Sequence, residues 1–250
     1  MRFVLSLGEK KTRGHHLQRT MPTLQTVGAF FIIMLGKIAN FFFGPRNAQK
    51  HALVVFSPTQ SFKGEANIVS ALFREGLTVY HLRRPRWSAQ QIITWVKSIP
   101  EDLRERIILH QHPELVARLG VAGFCAESPK SLPPKSLDCG VRMAICQSYD
   151  DLLEVRKQCV AVLLGPLFLS SHRDLTVPAR TPEELVATVA YFRKYFPNSP
   201  LRIFAYGGVN CAQSVRACRD LACFDGFASM SGIWNDGEPI ENFKKLCKQW

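Results

Sequence analysis

The residues whose types and spacing bear on chemistry stand where apolar runs stop. In "VYHLRRPRWSAQQI" (79–92), His81, Arg83 and Arg84 lie between a strand-like run and Ser88, which reads as the N-cap of a helix. Two guanidinium groups there hold an anion if the loop closes the carboxyl end of a parallel strand. Two solvated arginines on a surface turn are the other reading. Equivalent positions further along carry His110 and Gln111, then Glu127, then Cys146 and Gln147. His110 or Cys146 offers acid–base chemistry, and each also reads as an inward histidine or a core thiol. The last two runs end in "AYGGVN", with Gly207 and Gly208, and "SMSGIWN", with Ser231 and Gly232. Glycines at such ends let backbone N–H groups approach a phosphate, and a following helix start favours the negative charge. A tight strand end is the alternative for Gly207-Gly208. The long stretch "GPLFLSSHRDLTVPART" (165–181) brings Ser170, Ser171, His172 and Arg173, which suit a second anion or an ordinary surface loop.

Positioning these groups requires the elements between them. From residue 51 onward, short apolar runs at 52–57, 77–82, 106–111, 121–127, 140–146, 160–165, 201–208 and 224–232 alternate with helix-like stretches. A Pro- and Ser-rich loop replaces the helix after the fourth run. Continuous apolar character suits parallel strands buried on both faces. Eight strand–helix units in about 200 residues predict a (β/α)8 TIM barrel, an α/β fold with its site at the carboxyl ends of the strands. A doubly wound sheet is the runner-up, but no early GxGxxG turn supports it.

Charge narrows the ligands. Of the formal +12, residues 1–50 contribute +7, from eight basic side chains against Glu9, so residues 51–250 carry only +5. That mild excess suits phosphorylated small molecules, and the barrel portion lacks the interleaved aromatics and basic face of a nucleic-acid binder. The eight cysteines form no CxxC pair and repeat no metal-ligand spacing, which predicts reduced thiols in a cytoplasmic protein. Residues 1–50 form a basic and apolar extension outside the fold, and residues 51–250 the barrel. The apolar stretch 23–44 is broken by Lys37 and Asn40. It reads as a start assigned too far upstream, an interfacial membrane anchor, or a signal peptide without a clear cleavage site.

The series "HLRRP", "RIILHQHPELVARLGVAGF", "CQSYDDL", "LLGPLFLSS", "AYGGVN" and "DGFASMSGIW" resembles the thiamine phosphate synthase and thiazole tautomerase family, in order and spacing over roughly residues 52–236. The resemblance implies the same barrel. It also implies a transferase that joins hydroxymethylpyrimidine diphosphate to thiazole phosphate, through a pyrimidine carbocation trapped by the thiazole nitrogen. Arg83 matches the arginine of the family's Gln-Leu-Arg-x-Lys motif, His81 stands at its glutamine, and Arg84 is the nearest basic substitute for its lysine. The implied diphosphate end thus comprises His81, Arg83, Arg84, His110, Gln111, Ser170, Ser171 and Arg173. The implied thiazole-phosphate end comprises Gly207, Gly208, Ser231 and Gly232. The family's magnesium aspartate falls at His110-Gln111, leaving Glu127 as the nearby carboxylate for Mg2+, and the tautomerase histidine falls at Gln147. A non-catalytic barrel that binds a phosphorylated thiamine precursor, and a tautomerase-like isomerase, are the competing functions. A homo-oligomer, dimer or trimer, is open by resemblance.

Overall fold

The structure is a computed structural model that describes residues 53–168, 180–221 and 223–250. The extension 1–50 and the loop residues Ser170, Ser171, His172 and Arg173 lie outside the described residues. Eight parallel strands close into a barrel in sequence order. They are β1 (Leu53–Phe56), β2 (Val79–Leu82), β3 (Ile107–Leu109), β4 (Gly123–Ala126), β5 (Val141–Cys146), β6 (Ala161–Leu164), β7 (Arg202–Ala205) and β8 (Gly226–Ser229), with β8 pairing back onto β1. The eight predicted strands are therefore all present. Seven of them are buried at every position, as expected of strands covered on both faces.

Period-two alternation sorts the side chains into two layers. Val54, Phe56, Val79, Ile108, Cys125, Met143, Ile145, Leu163 and Phe204 fill the barrel interior. Val55, Tyr80, Leu82, Leu109, Ala144, Cys146, Leu164 and Ile203 face the surrounding helices. Phe204 is fully buried in the inner layer, where truncation to alanine typically costs about 3–5 kcal/mol.

The helices are α1 (Glu65–Arg74), α2 (Ala89–Lys97), α3 (Glu101–Arg104), α4 (Val116–Leu119), α5 (Tyr149–Val155), α6 (Pro182–Tyr195), α7 (Ala212–Asp220), α8 (Ser231–Trp234) and α9 (Pro239–Cys247). Their starts are chemical. Ser88 caps α2 in a capping box with Gln91, Ser148 does so for α5 with Asp151, and Thr181 for α6 with Glu184. Between β4 and β5 the chain makes a single 3-10 turn, Pro129–Ser131, where the prolines of this stretch disfavour a longer helix. Among the described residues no helix is long and apolar enough to cross a membrane.

Candidate functional site

Strand alternation decides where the two arginines after β2 go. Val79 and His81 point inward, so Tyr80, Leu82 and Arg84 share the outer face and Arg83 returns to the mouth. Arg83 is 40% exposed and lines the mouth, with Ser57 Oγ accepting from its N–H and donating to its carbonyl, both at 3.0 Å. Arg84 is only 3% exposed, and its Nη2 donates to both carboxylate oxygens of Glu65 on α1, at 2.7 and 2.6 Å. Tyr80 donates its hydroxyl to the same carboxylate at 3.0 Å, and the Arg84 guanidinium lies 5.1 Å from the Trp87 ring. Burial, then the neighbouring Glu65 charge, push the Tyr80 phenol well above its ordinary range. Arg84 thus lines the cleft as a residue while its Nη2 is committed to Glu65 under α1, where the pair braces the loop.

Gln111 also serves the loop, since its Oε1 accepts the Arg84 backbone N–H at 3.0 Å. The resemblance implies His81 and His110 at the diphosphate; in the structure both are buried below the barrel mouth. Their rings lie 4.9 and 5.3 Å from Phe56, and both residues are buried. Phe56 lines the mouth above them, while neither histidine reaches it.

Glu127, just after β4, links the layers. Its Oε1 accepts from Arg83 Nε at 2.7 Å and from His110 Nδ1 at 2.9 Å, and its Oε2 accepts from Arg83 Nη2 at 2.9 Å. His110 Nε2 in turn meets His81 Nδ1 at 2.9 Å. Partial burial pushes the Glu127 carboxyl up, but the hydrogen bonds from His110 and Arg83 outweigh it and hold the group down at about 2. Burial holds His110 and His81 below the usual imidazole range. With both rings neutral, the tautomers follow. His110 must donate from Nδ1 to the carboxylate, so its Nε2 accepts from His81 Nδ1–H.

The mouth itself is one cleft of about 790 Å³. Arg83 and Arg86 line one flank, and Gly207, Gly208, Ser229 and Ser231 line another. Gly207 and Gly208 have φ of 90° and 69°, a left-handed region that glycine enters freely. A Cβ at Gly232 would stand 2.6 Å from the Asn210 carbonyl oxygen, so this glycine lets the loops after β7 and β8 touch. Ser229 Oγ is buried without a hydrogen-bond partner and lies in the cleft wall. Thr59, Gln60 and Ser61 after β1, and Tyr206 at the end of β7, also line the cleft and were missed by sequence reasoning. The hydroxyl-bearing run immediately after β1 was the available signal. Cys146 belongs to the outer core, where burial pushes its thiol far up, so it is no acid or base for the cleft.

Magnesium does not fit these residues. Both Glu127 oxygens are taken by Arg83 and His110. The candidate ligand cluster among the described residues is His81, His110 and Cys125, a nitrogen and sulfur set that a hard, oxygen-seeking ion disfavours.

The barrel is similar to thiamine phosphate pyrophosphorylases of solved structure. The protein of that name from Bacteroides thetaiotaomicron is 24% identical, with a TM-score of 0.62 over 79% of this chain and 96% of that one. The one from Pyrococcus furiosus is 18% identical, with a TM-score of 0.65 over 82% of this chain and 96% of that one. At these identities the likeness establishes the fold. No protein-family model and no curated protein matches the chain.

Proposed function

We propose that this barrel acts in thiamine biosynthesis as a thiamine phosphate synthase-like transferase. The observation that carries the reading is the single cleft with a cationic flank at Arg83 and Arg86 and a glycine- and serine-lined flank at Gly207, Gly208, Ser229 and Ser231. A condensation of two anionic substrates needs two anion subsites within one enclosure. The glycine-rich flank takes the thiazole phosphate through backbone N–H groups and serine hydroxyls. The arginine flank takes the pyrimidine diphosphate. The bond from the pyrimidine methylene carbon to the diphosphate oxygen breaks, and its electron pair leaves with pyrophosphate. The thiazole nitrogen lone pair then forms the new carbon–nitrogen bond.

This chemistry requires charge stabilisation at the leaving group and no strong base, which suits a cleft whose wall, among the described residues, holds neither histidine nor cysteine. Arg83 supplies the charge by exchanging Glu127 for the diphosphate, or by bonding both through its five donors. No step passes through magnesium.

A second reading is favoured by the same ion pair. Glu127 neutralises Arg83, and a mouth so neutralised holds the thiazole phosphate without turning it over. The two readings separate in an end-point assay of the full chain with both precursors, thiamine phosphate being converted to its fluorescent oxidation product. Product from the wild type that disappears in Arg83→Ala supports the transferase. No product, with a melting temperature still raised by thiazole phosphate, supports the binding barrel.

A further inference from the structure

Three neighbouring strands aim metal-ligating side chains at one point inside the barrel. His81 on β2, His110 just past β3 and Cys125 on β4 each offer one ligand atom, all within 4.8 Å of one another, and all three residues are buried. We infer that His81, His110 and Cys125 form a binding site for a borderline transition-metal ion of the Zn2+ class. Imidazole nitrogen and thiolate sulfur together select such ions and reject magnesium.

Three features separate this cluster from ordinary core packing. The first is an orphan: His81 Nε2 is buried with no hydrogen-bond partner, so it can take up the ring proton that Nδ1 shares with His110 and free Nδ1 for a metal. The second is the outer partner of His110. Its Nδ1 donates to Glu127, which fixes the tautomer and turns the Nε2 lone pair inward, as in carboxylate–histidine–metal arrangements. Glu127 is itself held by Arg83 through two hydrogen bonds. The third is Cys125, whose Sγ has only a 3.8 Å contact to the Ala126 carbonyl and stays available. The 2.9 Å between His81 Nδ1 and His110 Nε2 is close to the roughly 3.3 Å that two nitrogens take on one tetrahedral ion. Ligation displaces the Cys125 proton to solvent and moves the His81 ring proton from Nδ1 to Nε2, so that His81 Nδ1 and His110 Nε2 both bind through lone pairs. Because Phe56 separates the cluster from the cleft, the ion pins β2, β3 and β4 together and takes no part in the coupling reaction. The inference therefore stands whichever reaction the cleft performs.

Co2+ is the probe, added to the chelator-treated full chain both by incubation and during refolding. The expected result is one Co2+ per chain, with the intense visible bands of tetrahedral coordination and a sulfur-to-cobalt charge-transfer band, both abolished by Zn2+. Cys125→Ser, nearly isosteric, should lose the charge-transfer band. His110→Gln should lose stoichiometric binding, with far-ultraviolet circular dichroism checking its fold; if it does not fold, Cys125→Ser alone decides. Absence of stoichiometric Co2+ by both routes, or a charge-transfer band unchanged in Cys125→Ser, would overturn the assignment.

Discussion

Arg83 and Glu127 meet across the barrel mouth through two parallel hydrogen bonds, Nε to Oε1 at 2.7 Å and Nη2 to Oε2 at 2.9 Å. The pair is about as exposed as it is buried, so solvent weakens it and it contributes little to stability. Its consequence is functional, because an anion entering the cleft competes with Glu127 for the same guanidinium. Arg83→Ala should change the unfolding free energy by no more than about 1 kcal/mol in urea titration, while removing diphosphate binding. A loss of several kcal/mol would make Arg83 structural.

The neighbouring arginine behaves in the opposite way. Arg84 and Glu65 are 3% and 1% exposed, so removing either partner leaves an uncompensated buried charge. Arg84→Ala should lower stability by about 3–5 kcal/mol in the same titration, and Arg84→Met with Glu65→Gln should recover much of the loss. An Arg84→Ala protein of wild-type stability that fails only in substrate binding would place this guanidinium in the cleft.

Gly207 joins backbone geometry to the phosphate flank. At φ 90° a side chain is strained, and an added Cβ would stand 2.6 Å from Pro166 Cβ. Gly207→Ala should cost at least about 1–2 kcal/mol of stability and weaken thiazole-phosphate binding in calorimetry. Unchanged affinity would remove this loop from the phosphate site.

Acid should unfold the chelator-treated protein in two stages. Burial holds His81 and His110 below their ordinary 6.5, so the unfolded chain binds protons that the native chain refuses. Their contribution is complete above pH 6.5 and is lost as pH falls below it. Glu127, held at about 2 against an ordinary 4.5, adds a further loss as pH falls from 4.5 toward 2. Melting temperature followed against pH should be flat above neutrality and begin to drop below 6.5. A flat profile down to pH 5 would contradict neutral buried imidazoles.

The strands were legible because each continuous apolar run between helix-forming stretches is too short for a buried helix and too apolar for a loop. Ser88 was legible as a cap from its type and position. The fates of Arg83 and Arg84 were half legible. Alternation from Val79 already puts Arg84 on the face of Tyr80 and Leu82, yet only the packing of α1 brings Glu65 beneath it. The His81–His110–Cys125 cluster was invisible to a search for ligand spacing. Its members come from three strands whose register, His81 opposite Ile108 and Ile108 opposite Gly123, depends on how the barrel closes. Glu127 was legible as a carboxylate near the mouth, but not as one already held by an arginine and a histidine.

The measurement that reaches the central claim most directly is calorimetric titration of the full chain with thiazole phosphate and with its dephosphorylated alcohol. If the loops after β7 and β8 cradle a phosphate, the phosphate ester should bind on the order of 100-fold more tightly, the worth of about two charge-assisted hydrogen bonds. Gly207→Ala should erase that difference. Equal affinity for ester and alcohol, or no binding of either, would contradict the account.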